Sequence, residues 1–164
     1  MNEFLESEFL RADELIKEDL IEEAKAVLNS ILEEDPSFGK AHNHLGWINK
    51  TKENNARSAE IHYKQALEST PDYAATYVNY AILLSEEKRY NEAEALLAKA
   101  ETIENINLTN INREWAYLYE DTKRYEKAIE KYKEYALSLY DNTSIQTVKD
   151  AILRCKNKLD IMNL

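Results

Sequence analysis

Four alanines, Ala24, Ala59, Ala93 and Ala128, follow one another at intervals of 35, 34 and 35 residues. No other feature of the chain constrains its fold so strongly, because periods of about 20–50 residues belong to arrays of one repeated supersecondary unit. Neighbouring positions keep the same register. Four residues after each alanine stands a large apolar residue, Leu28, Tyr63, Leu97 or Tyr132, and three further on the series runs Ile31, Ala66, Ala100, Tyr135. Steps of four and three hold these positions on one helix face, whereas unrelated helices would drift out of phase within a period or two.

The stretch Ala74–Glu104 shows what one unit contains. Tyr77, Tyr80, Ala81 and Leu84 fall at i, i+3, i+4, i+7, and Ala93, Leu96, Leu97 and Ala100 repeat that spacing. Two amphipathic helices follow. Ser85–Asn91 between them is polar apart from Tyr90, so the helices are expected to fold back through a tight turn. Ala81 and Ala93 are the expected crossing residues, small enough for an interaxial distance near the close limit of about 8 Å. A pair this short cannot bury its own apolar face, so stacked copies must do it.

On these marks the hairpin resembles a tetratricopeptide repeat: a small residue in the first helix (Ala81), an aromatic before the second (Tyr90), then Ala93, Leu97 and Ala100. The resemblance implies an all-α, right-handed α-solenoid of four helix-turn-helix repeats plus a C-terminal capping helix, forming a single domain over 1–164. The repeats are expected at about 5–38, 39–73, 74–107 and 109–140, and the capping helix at about 144–160. Leu45-Gly46 and Trp115-Ala116 match Tyr80-Ala81, and Pro36 and Pro71 end repeats where Asn105 stands in the third. The turn of the second repeat reads one residue longer than that of the third. Thr143 or Ser144 is the expected cap of the last helix, whose Ile145, Val148, Ile152, Cys155 and Leu159 form one apolar stripe.

Composition narrows the function. Only 2 Gly and 2 Pro agree with an almost wholly helical chain, and two glycines cannot build a phosphate-cradling loop. A formal net charge of −10 opposes binding along a phosphate backbone. Residues 1–36 hold most of that charge, with twelve Asp or Glu against three Lys or Arg. That face reads as a solvated end of the array, with a docking surface for a basic partner as the alternative. No apolar run reaches the roughly 18 residues of a membrane span, and MNEFLESEFL is no signal peptide, so a soluble cytoplasmic protein without membrane association is expected. Cys155 is alone, which excludes an internal disulfide and reads as a core residue. His42 and His44, two apart on a helix, point to opposite sides and are no metal pair. No metal, cofactor or catalytic constellation is expected, and the chain does not read as an enzyme. Tyr63, Tyr80 and Tyr132 fall on core positions of the repeat rather than on a stacking surface.

Proteins that this chain resembles line a concave groove with their first helices. Carried over residue by residue, the groove positions are Lys40, Asn43, His44, Trp47 and Lys50 in repeat 2; Asn79, Ile82 and Glu86 in repeat 3; Asn110, Arg113, Glu114, Tyr117 and Asp121 in repeat 4; and Phe9, Asp13 and Lys17 in repeat 1. Asn side chains suit a peptide backbone, and Trp47 and Tyr117 suit apolar anchorage at low entropic cost. The expected function is a non-catalytic protein–protein interaction scaffold holding a peptide or partner segment in this groove. Self-association as a homodimer, through an end face or the tail Ile161–Leu164, is one alternative. An accessory subunit holding a small molecule or glycan on its aromatics is another. One branch of the family clamps a C-terminal carboxylate with Lys, Asn and Arg. Here Asn79 matches, but Asn43, Asn110 and Glu114 occupy the Lys and Arg positions, so no chaperone-tail function is assigned.

Overall fold

The computed structural model describes residues 3–104 and 106–164. The Asn105 that takes the proline's place in the third repeat lies outside them. The described residues form helices and no strand, in the order α1 (Glu3–Lys17), α2 (Ile21–Glu34), α3 (Gly39–Thr51), α4 (Ala56–Ser69), α5 (Ala74–Glu86), α6 (Tyr90–Ala100), α7 (Leu108–Asp121), α8 (Tyr125–Leu137) and α9 (Asn142–Met162). The all-α expectation holds. The chain divides into two compact units, Met1–Leu83 and Leu84–Leu164.

In the first unit, Leu5, Phe9 and Ala12 of α1 pack with Val27, Leu28 and Ile31 of α2 and with Ala41, Leu45 and Ile48 of α3. These are the apolar positions of the period, and each fully buried Leu or Ile contributes about 1.5–3 kcal/mol. α3 lies close against α4 because it is slim there. A Cβ on Gly46 would stand 2.6 Å from the Tyr63 ring, and one on Gly39 would stand 2.3 Å from Thr70 Oγ1 and 2.9 Å from the Ala66 carbonyl. Tyr63, fully buried, in turn stacks on Tyr80 with ring centroids 5.8 Å apart.

In the second unit, Ala116 of α7, Tyr125, Ala128, Ile129 and Tyr132 of α8, and Val148, Ala151 and Cys155 of α9 share one core. The apolar stripe of α9 therefore packs on α8. Its cap differs from the expectation: Asp141 is the N-cap, accepting from the Ser144 N–H at 2.7 Å, and the helix begins at Asn142. Aspartate, placed just before the first turn, reaches that amide directly, so neither Thr143 nor Ser144 is needed. Away from that stripe, α9 also reaches α7 through charged side chains. Arg154 bonds Glu120 of α7 at 2.6 and 2.8 Å, and Lys158 joins at 3.2 Å.

The turns between paired helices are built alike. Asp19, Asn54, Lys88 and Lys123 all have φ between 51° and 61°, and each stands five residues before its period alanine. In three of the four turns the amide after this residue bonds back five residues, Leu20 to Leu15, Arg89 to Leu84 and Arg124 to Tyr119, and its own amide bonds back three. This is the left-handed helix stop that glycine adopts without strain. The second repeat instead closes Asn55 N–H onto Asn49 O, six residues back, which accommodates the extra residue expected there.

Two substitutions follow with opposite signs. Gly46→Ala, which forces a methyl into the Tyr63 ring, is expected to destabilise by about 1–3 kcal/mol. Lys123→Gly, which relieves a side chain held at φ 60°, is expected to stabilise by about 0.5–1 kcal/mol. Urea midpoints measure both.

Candidate functional site

The first helices of the first unit enclose a cleft. Asp13 and Ile16 of α1, Asn43, His44 and Trp47 of α3, and Ala75 and Asn79 of α5, with Tyr73 just before α5, line a cavity of about 250 Å³. The adjoining cavity, about 350 Å³, is lined by Glu6, Asp35, Ser37, Phe38, Gly39, Lys40, Thr70, Asp72 and again Tyr73. Both are at or below the small end of ligand sites, with room for side chains rather than for a large cofactor.

Five of the residues named from sequence thus meet in one cavity: Asp13, Asn43, His44, Trp47 and Asn79. Lys40 stands in the next. Asn43, 2% exposed, forms the floor, and its Oδ1 accepts from Asn79 Nδ2 at 3.1 Å. An amide has two donors and two lone pairs, so this bond uses only part of the pair's capacity. His44 Nε2 faces Asp13 Oδ1 at 3.2 Å, and its ring meets the Phe9 ring edge-on at 4.6 Å. Burial pushes the His44 pKa below its ordinary value, with Asp13 opposing, so its Nε2–H donates to the carboxylate. Lys40 Nζ binds both Glu6 oxygens at 2.9 Å. Trp47 is half-buried, with Lys52 Nζ 5.9 Å over its ring. Phe9 is buried in the core, and Lys17 pairs with Asp13 and Glu14.

The other named residues lie elsewhere. Lys50 and Ile82 are half-buried and line neither cavity. In the second unit Asn110 and Tyr117 are exposed, Tyr117 packing edge-on to Tyr132 at 5.9 Å, and Arg113 Nε bonds Glu114 at 2.8 Å. Glu86 and Asp121 are exposed helix ends.

Sequence reasoning missed Glu6, Tyr73 and Asp72. One signal was available: Glu6 and Lys40 are opposite charges one period apart on equivalent helices, and Phe38 and Tyr73 are aromatics one period apart just before helix starts. It also missed that His42 and His62 meet, Nδ1 to Nδ1, at 3.1 Å, with His42 Nε2 3.1 Å from the Pro36 carbonyl. Donation to that carbonyl makes His42 Nδ1 the acceptor and His62 Nδ1–H the donor, a neutral pair. Among the described residues no three His, Cys, Asp or Glu converge as a metal site. Cys155 is fully buried, and burial pushes its thiol up to about 11, far from a reactive thiolate. No helix among the described residues is long and apolar enough to cross a membrane.

The sequence profile described as Tetratricopeptide repeat matches residues 51–104, which run from the end of α3 through α6. A thermophilic tetratricopeptide protein of Thermus thermophilus superimposes with a TM-score of 0.71 over 91% of this chain and 81% of its own, at 19% identity. Residues 51–104 thus carry the tetratricopeptide repeat, and the rest of the chain shares the fold that such repeats build. PilW, a widely conserved type IV pilus biogenesis factor, gives a TM-score of 0.76 at 21% identity, over 84% of this chain and 63% of that one. YrrB, a tetratricopeptide protein with an unusual peptide-binding site, gives 0.64 at 19% identity, over 93% and 81%. At these identities the likeness is one of fold, the all-α helical-repeat solenoid class. No curated protein sequence matches the chain.

The histidines give the fold a pH dependence. Burial holds His42, His44 and His62 below their ordinary pKa, so below about pH 6.5 the unfolded chain binds more protons than the folded one. Their contribution to stability is complete above that pH and is lost as pH falls through the folded values. The urea midpoint is expected to drop between pH 7.5 and 5.5, and to drop less in His62→Gln. An equal drop in both would remove the His42–His62 pair as a cause.

Proposed function

We propose that this protein is a non-catalytic interaction scaffold whose cleft between α1, α3 and α5 holds an extended peptide segment of a partner protein. The observation that carries the reading is the convergence of Asn43, Asn79, His44 and Trp47 on one cavity. Partly used amides beside a half-buried indole are what a peptide backbone and an apolar side chain require. The peptide-binding site named for YrrB is support by analogy of fold. The net charge of −10 argues against a nucleic-acid partner. The lone buried cysteine is compatible with the cytoplasm.

Self-association is the second reading, favoured by apolar side chains left in water in the second unit: Leu137 at 89%, Tyr140 at 100% and Ile161 at 68% exposure. A molar mass by light scattering that rises with concentration, and falls back in Ile161→Lys, would favour it.

The cleft is tested by affinity capture with quantitative mass spectrometry, comparing the parent with Trp47→Ala, Asn79→Ala and the surface control Lys99→Leu. A partner held by the cleft is expected to be lost from the first two and kept by the third. With the purified partner, Trp47→Ala is expected to weaken binding by about 2 kcal/mol or more. Unchanged capture by both cleft variants would place the partner on another surface.

A further inference from the structure

The lining of the cleft says which peptides it suits. Around the larger cavity stand three carboxylates, Glu6, Asp35 and Asp72, and one cation, Lys40. Lys40 is committed to Glu6 through both carboxylate oxygens. Asp35 accepts from the backbone N–H and hydroxyl of Ser37, neither of them charged. Asp72 is exposed and has no ion-pair partner among the described residues. The smaller cavity adds Asp13, with which Lys17 pairs at 2.9 Å from outside the lining, and no lysine or arginine of its own. Phe38 and Tyr73 supply aromatic wall, and Tyr73 lines both cavities, so they meet at its ring. Asp13 and Glu6 both act on the Tyr73 hydroxyl, raising its pKa beyond what burial does.

We infer that the cleft selects a cationic peptide, seating a lysine or arginine side chain in the larger cavity with its head at Asp35 and Asp72 and the peptide backbone on Asn43 and Asn79. The inference rests on the reading of this cleft as a peptide site. The alkyl stem of such a side chain lies well along aromatic wall while its head stays at the wet, anionic rim. Bonds from its N–H groups to carboxylates are charge-assisted and stronger than neutral ones. An acidic or phosphorylated segment would meet unpaired carboxylates instead, and like-charge juxtaposition suppresses wrong partners. The committed Lys40 offers that segment nothing without breaking its bond to Glu6.

Three fluorescein-labelled peptides decide the matter by anisotropy: one alternating alanine with lysine, and its counterparts with glutamate and with glutamine. The lysine peptide is expected to bind most tightly. Asp35→Asn with Asp72→Asn is expected to weaken it about tenfold or more, the size expected for a lost charge-assisted bond. Glu23→Gln with Glu33→Gln, which removes the same charge from exposed positions of α2, is expected to change it less than about twofold. Equal weakening by both pairs would reduce the effect to diffuse attraction and overturn the inference. A glutamine or glutamate peptide that binds as well and shifts the Trp47 emission would overturn the cationic selectivity while leaving the cleft as a peptide site. No binding by any of the three would overturn the selectivity too, and capture with Trp47→Ala would then judge the cleft on its own.

Discussion

The structure depends on how closely two helix backbones approach inside each hairpin. At Gly46 the absence of one carbon leaves room for the Tyr63 ring, and at Ala12, Ala24, Ala59, Ala116 and Ala128 a single methyl group, fully buried, does the same. A larger residue at any of these would separate the helices by more than side-chain adjustment could absorb, because protein cores are close-packed. Once the small residue is fixed, the residues four and seven further along the second helix fall on the core side, and the opposite edge of the first helix is left for the cleft. Asn43 and Trp47 belong to that edge. They are one helical turn apart, beside the buried Leu45 and Ile48.

Electrostatics tie one repeat to the next in the same period. Glu6 and Lys40, and Glu120 and Arg154, are pairs 34 residues apart, and Asn43 and Asn79 are 36 apart. Equivalent positions on successive first helices are neighbours in space, so side chains one period apart can bond. Glu120 is the most engaged of these groups: Arg154, Tyr132 and Lys158 hold its carboxyl down to about 2. Partly exposed ion pairs of this kind add little stability singly, but they fix which helix faces meet. Lys40, drawn to Glu6, is thereby removed from the cleft as a free cation, and this gives the cleft its sign.

The helices and their faces were legible in the sequence because apolar and small residues repeat with it. Trp115, aligned with Tyr80 and Leu45, is buried, and Tyr63, Tyr80 and Tyr132 are core residues as their register implied. The longer second turn was legible from the slip between Gly46 and Ala81. Three things were not. The left-handed residues Asp19, Asn54, Lys88 and Lys123 carry no glycine to announce them, since the hairpin geometry imposes the conformation against local preference. The His42–His62 contact joins two helices whose rotation no periodicity sets to within one ring. The second-unit candidates Asn110, Arg113 and Tyr117 carried only a family's pattern, which fixes a position along a helix and leaves open what the side chain meets there.

The register itself is open to direct measurement by hydroxyl-radical footprinting with residue-level mass spectrometry. Phe4, Trp47, Tyr117 and Tyr140 stand at least partly in solvent, while Tyr63, Tyr77, Tyr132 and Trp115 are buried by the same period that fixes the small residues. The account predicts rapid oxidation of Phe4, Tyr117 and Tyr140, intermediate oxidation of Trp47 and strong protection of the second group. Oxidation of Tyr63 or Tyr132 at the rate of Tyr140 would contradict it, because a helix turned far enough to expose either ring could not keep its small residue at the crossing.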